Sequence, residues 1–183
     1  MHPLDVAEYV EQSVDVLRRR LRDKPDLGVK QVQLSGQKVN LYLSVKQRRL
    51  LEDVIPSGLL AANNQAFAQA VRVIDLGAKP KSRDLVLSLD VTDYDGQPPT
   101  AELLYPNLSP LSQAEWPKSS DWQGIVIGHL SYDRPWFCRR GLREYHTHPQ
   151  HEDDPWDKYR EELALHTVVE EILYDLQHRM AFT

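Results

Sequence analysis

Only one cysteine, Cys138, occurs in the 183 residues, so no internal disulfide can form and a reducing, cytoplasmic setting is expected. Long apolar runs are also missing. Nothing approaches the ~20 consecutive apolar residues of a membrane span, and no membrane partner is expected. Positive charge is not in excess: Lys and Arg number 22 against 27 Asp and Glu, for a formal charge of −5 and a pI near 5.8. That sign is wrong for a protein that neutralises phosphates, so no nucleic-acid partner is expected. Arg18-Arg19-Arg20 is a local exception, and it falls in a helical pattern where it reads as a solvated face. Repeats, low-complexity tracts and lipidation motifs are lacking. Met1-His2-Pro3-Leu4-Asp5 has no basic segment leading into an apolar one, so no secretory signal is expected.

What is present suits an α+β domain. With 41% hydrophobic residues, the chain has enough apolar side chains for a core. Val6, Val10, Val14, Leu17 and Leu21 recur at steps of three and four, which predicts an N-terminal helix ending at Asp23-Lys24-Pro25. Val32 and Leu34, the turn Ser35-Gly36-Gln37, and then Val39, Leu41, Leu43 and Val45 predict a hairpin. Residues 47–64 read as a connection with short helical pieces, and residues 71–74 as a strand. Leu85, Leu87, Leu89 and Val91 keep strict period two, and Thr100 to Tyr105 reads as the returning strand after the turn-rich loop Asp93–Pro99. Residues 106–121 read as a loop and Ile125-Val126-Ile127 as a buried strand. A C-terminal helix is expected from Pro155 to about Arg179, with Asp154 as its N-cap and Trp156, Tyr159, Leu163, Val169, Ile172, Leu173 and Leu176 as its apolar stripe. The expected architecture is therefore an N-terminal helix, an antiparallel meander and a C-terminal helix. Residues 1–64 would be an extension on a 65–183 core, or the whole of 1–183 one domain.

The chemistry concentrates between Trp136 and His151, which holds the one cysteine and three of the seven histidines. A thiolate, a carboxylate and imidazoles are the side chains that bind zinc. Arg139-Arg140-Gly141 reads as a three-residue hairpin loop with Gly141 left-handed. Strand alternation beyond it would put Cys138, Glu144, His146 and His148 on one face. Residues four apart on a straight strand lie about 13 Å apart, so one metal requires a bend, near Pro149, or the substitution of His151 for a member of the set. One thiolate and one carboxylate would neutralise a divalent ion, and four ligands would close a tetrahedral, structural site. The alternative is a surface hairpin that happens to be rich in histidine.

Cys138-x5-Glu144-x-His146-x-His148, together with Asp154-Pro155-Trp156-Asp157, resembles a bacterial family of predicted metal-binding proteins named CEHH after these four residue types. The resemblance covers about residues 130–160. It implies a metal site and a pathway of prokaryotic ubiquitin-like conjugation, with a ubiquitin-like protein or a conjugation-pathway enzyme as partner. Leu89–Pro99 followed by a strand is similar to the Tyr-Pro-x-x-Pro-Pro loop of ubiquitin-conjugating enzymes, with Asp95 in place of the first proline. That likeness implies a conjugating-enzyme-like fold in which Cys138 lies near the thioester-forming position, although the usual His-Pro-Asn is absent. His146-Thr147-His148-Pro149 resembles the core of the JAB/JAMM metalloproteases over four residues only. Three functions follow as expectations: an accessory zinc-binding protein, a metal-dependent isopeptidase with Glu144 as base, and a conjugating-enzyme-like protein with Cys138 as nucleophile.

Overall fold

The structure is a computed structural model, and it describes residues 3–50, 73–75, 82–94, 96–119, 124–127 and 132–182. Helix α1 spans Pro3–Arg22 and carries Arg19, Arg20 and Arg22 in its last turn, where cations complement the helix dipole. Val10, Val14, Leu17 and Leu21 are all buried on its inner face, as their spacing predicts.

Strands β1 (Val29–Ser35) and β2 (Lys38–Lys46) form the expected hairpin, turning at Gly36 in a left-handed conformation (φ +59°). β3 (Arg48–Leu50) pairs antiparallel with β4 (Val73–Asp75). β5 (Ser82–Asp90) and β6 (Thr100–Leu104) complete a four-stranded antiparallel sheet in the order β1-β2-β5-β6. The register aligns the sequence's period-two apolar sets. Leu41 sits opposite Leu87, and Leu87 opposite Leu103, so their side chains share one face. Val39, Leu41, Leu43, Val45, Leu85, Leu87, Leu89, Ala101 and Leu103 join the buried face of α1 in one core.

Short pairs follow. β7 (Lys118–Ser119) lies in the 106–121 loop, and β8 (Ile125–Val126) pairs with β9 (Trp136–Phe137). The one-turn helix α2 is Arg143–His146 and helix α3 is Leu165–His178. β10 (Met180–Ala181) returns to pair with β7. Helix α3 buries Leu165, Val168, Val169, Ile172, Leu173 and Leu176 in the same core. At about 1.5–3 kcal/mol for each large apolar side chain removed from water, this stripe and the sheet dominate the fold's stabilisation. An ion-pair cluster adds to the seam between the helices: Glu170 on α3 meets Arg20 at 2.5 Å and Lys24 at 2.6 Å.

The N-terminal helix, antiparallel meander and C-terminal helix stand as expected. Four details differ. Residues 48–50 are a strand where helical pieces were expected, β4 covers 73–74 of the strand expected at 71–74, and residues 51–72 and the turn at 77–81 lie outside the described residues. Ile125 and Val126 are only half-buried and Ile127 is exposed; among the described residues this strand pairs with two-residue β9 alone, and Ile125 packs against the edge of the core. The C-terminal helix begins at Leu165, ten residues later than expected. Pro155 is extended (φ −70°, ψ 151°), Trp156–Lys158 is a 3-10 turn, and Ala164 stands at the N-cap. Asp154 does not cap a helix. Its carboxylate is taken by Tyr145 and Arg140, so the helix has nothing to begin on there.

Candidate functional site

The site residues lie on the segment from Tyr132 to Tyr159, which wraps one end of the core. It is positioned from three directions. Cys138 directly follows β9, and its N–H donates to the Gly124 carbonyl at 2.9 Å. Gly141 is left-handed, as expected (φ +92°). A Cβ there would stand 2.5 Å from Val168 Cγ2, so only glycine lets the loop lie flat on α3. Arg143 clamps the far side: its N–H donates to the Pro99 carbonyl, and its guanidinium donates to the carbonyls of Pro98 and Thr92. The turn-rich loop and the Cys-Glu-His segment therefore form one connected surface. Tyr94 and Trp136 are both buried.

The chain after Gly141 is not the returning strand of a hairpin. β9 pairs with β8, and residues 143–146 form a helical turn closed by Tyr145 and His146 N–H groups on the Leu142 carbonyl and Thr147 N–H on Arg143. Strand parity therefore does not orient Glu144 and His146. Successive helical residues turn by about 100°, so side chains two apart point to nearly opposite sides.

Glu144 is 2% exposed. Its Oε1 accepts from Arg134 Nη2 at 2.7 Å, while Oε2 is buried without a hydrogen-bond partner among the described residues. Burial raises the carboxyl's pKa, with Arg134 opposing. His146 points the other way, with both ring nitrogens engaged. Nε2 accepts from Gly141 N–H at 3.1 Å, so Nδ1 carries the proton and donates to the Asp154 carbonyl at 2.7 Å. Burial lowers its pKa and keeps the ring neutral. His148 is buried and stacked on Trp136, ring centroids 5.5 Å apart, and its Nδ1 accepts from Gln150 N–H at 3.2 Å.

His151 is the histidine that faces the thiol. The 3-10 turn Pro149–His151 carries it back over the loop, and its Nε2 lies 3.8 Å from Cys138 Sγ. Its ring stacks on Tyr145 at 3.9 Å between centroids and stands 5.7 Å from His148. Cys138 is half-buried, and burial raises its pKa despite neighbouring Arg139. The loop is tied to α3 by an ion pair between Arg139 and the buried Asp175. Asp154 anchors the other flank; Tyr159, Tyr145 and Arg140 hold its carboxyl down to about 2.

Of the four residues singled out by sequence, the structure places Cys138 beside His151, Glu144 beside Arg134, and His146 against Gly141 and Asp154. Among the described residues, no three His, Cys, Asp or Glu side chains stand grouped as a metal site. The donor chemistry fits a metal in two respects: the Cys138–His151 pair and the unpartnered buried oxygen of Glu144. Sequence spacing assigns no site role to Arg134 or Tyr145, which the structure sets against Glu144 and His151. Arg134 lies four residues before Cys138 and Tyr145 directly after Glu144, but their contacts depend on the helical turn. No described helix is long and apolar enough to cross a membrane. Compared with known protein families and with curated proteins, the sequence has no match.

Proposed function

We propose that this chain is a metal-binding accessory protein, with zinc as the metal, that works through protein contacts in a bacterial ubiquitin-like modification pathway. The observation that carries the metal is Glu144. Arg134 answers one oxygen of this almost wholly buried carboxylate, but the other has no hydrogen-bond partner among the described residues, which costs stability unless something electropositive completes it. A divalent cation would do so, and the same short segment offers a thiolate and imidazoles as its further donors. The metal's binding free energy then becomes folding free energy for a segment rich in turns. The pathway assignment rests on the resemblance of the Cys-Glu-His-His spacing alone.

The test compares Glu144→Gln with Cys138→Ser in zinc stoichiometry and melting temperature. The expected result is about one zinc per chain in the natural protein and loss of zinc and stability together in both variants. If Glu144→Gln keeps its zinc and its melting temperature but loses cleavage of a ubiquitin-like conjugate, the site is a hydrolase centre and the accessory reading falls. A second reading, Cys138 as a thioester-forming nucleophile, draws support from its contact with His151, an imidazole placed to take the thiol proton. The raised pKa of the half-buried thiol opposes it.

A further inference from the structure

The sequence spacing puts His146 and His148 in the ligand set, with His151 as a substitute if the chain does not bend. The geometry distributes these three rings differently. Gly141 N–H donates to His146 Nε2 and the Asp154 carbonyl accepts from Nδ1, so ligation by His146 would break one of the bonds that fix the loop. His148 Nδ1 is held by Gln150 N–H. His151 Nε2 faces Cys138 Sγ at 3.8 Å. A thiolate and an imidazole on one tetrahedral zinc, with bonds of about 2.3 and 2.0 Å, stand roughly 3.5 Å apart. The pair therefore already has nearly the separation that a shared metal imposes. Its orientation is also fixed beforehand, because Tyr145 stacks on the His151 ring and His151 N–H donates to the His148 carbonyl at 2.9 Å.

Building on the metal-binding reading above, we infer that His151 is the imidazole that shares the metal with Cys138, and that His146 is a positioning residue that holds the loop. The half-site of Cys138 and His151 is preformed, while among the described residues no third His, Cys, Asp or Glu is grouped with it, so the metal's remaining positions are completed on binding. The ligand is a divalent ion of borderline softness, for which thiolate and imidazole are the preferred donors. His146 stabilises the metal-free loop by bonding two backbone groups, Gly141 N–H and the Asp154 carbonyl.

The experiment uses the full chain, stripped with a chelator and titrated with cobalt(II), then with zinc in competition. Cobalt reports each bound thiolate through its near-ultraviolet charge-transfer band and tetrahedral geometry through its visible bands. The natural protein is expected to bind one cobalt with one thiolate's intensity. His151→Gln should weaken cobalt binding by more than the about 10–100-fold that loss of an outer-shell partner causes. His151→Cys should restore binding and raise the charge-transfer intensity per cobalt towards double, an outcome that a residue outside the site cannot produce. His146→Gln should keep the cobalt spectrum while lowering the melting temperature of the metal-free chain. An unchanged charge-transfer intensity in His151→Cys overturns the inference. So does loss of the spectrum in a folded His146→Gln chain. If the natural protein binds neither cobalt nor zinc, the metal-binding reading itself fails and takes this inference with it.

Discussion

The meander and the Tyr132–Tyr159 segment are held by different forces. In the sheet, β2 and β5 pair over nine residues without interruption, and the apolar side chains alternate in step with the backbone ladder. Burial there follows from sequence parity because the ladder fixes every side chain's direction. In the site segment the ladder lasts two residues and then stops. Past that point side chains bond to the backbone instead: His146 to Gly141 and Asp154, His148 to Gln150, Arg143 to Pro98 and Thr92. A core set by apolar burial tolerates no change of parity. A loop set by a few polar bonds takes whatever path satisfies them.

The largest effect should come from the sheet. Leu87 is fully buried between Leu41 and Leu103 in the register. Leu87→Ala should lower global stability by about 3–5 kcal/mol, the range for a large-to-small change at a rigid core position. Urea unfolding monitored by far-ultraviolet circular dichroism measures it. A loss below about 1 kcal/mol would mean that the sheet is less tightly packed than its burial indicates and would erase the contrast between the two regions.

Gly141→Ala probes the other region. The new methyl group meets Val168 at 2.5 Å on a backbone with φ +92°, so overpacking and left-handed strain combine. The expected loss is about 2–3 kcal/mol, smaller than for Leu87→Ala because the loop can lift from α3. Hydrogen exchange should show amides at 138–151 opening while those of β2 and β5 stay protected. Equal exchange throughout would show that the loop and the core unfold as one unit.

This contrast also explains what the sequence disclosed. The hairpin, strands β5 and β6, the N-terminal helix and the left-handed Gly141 were legible because each rests on local pattern. Val39 to Val45 and Leu85 to Leu89 need only their own alternation, and a glycine after two arginines in a tight loop needs only its own φ. The path after Gly141 was not legible. Arg143 reaches back more than forty residues to Pro98 and Thr92, and no window around Glu144 contains that partner. The late start of α3 has the same origin. Asp154 and Pro155 have the composition of a helix start, but Tyr145 and Arg140 claim the aspartate from another turn. The ligand set was legible by residue type, since thiol, carboxylate and imidazoles do gather in one short segment. The placement of each histidine was not, because it depended on a strand that the segment does not form.

The smallest expected effect lies at the seam between the helices, which belongs to neither region and sharpens the contrast by adding little. Glu170 on α3 receives Arg20 and Lys24 from α1 and its following turn. These two partners hold its carboxyl down to about 2, from an ordinary value of 4.5. Because the folded-state pKa is depressed, the unfolded chain binds more protons between these two values, and stability rises with pH across that window. The contribution is therefore complete above about pH 4.5 and is lost as the pH falls towards 2. Both cations are more than 40% exposed, so water and salt screen the attraction, and about 1 kcal/mol or less is expected at neutral pH. Glu170→Gln should melt slightly below the natural protein at pH 7 in low salt. The gap should narrow in 1 M salt and close near pH 2, where the natural carboxyl is also becoming neutral. A gap that persists at pH 2 would show that Glu170 acts by packing and would move the seam into the apolar scaffold's account.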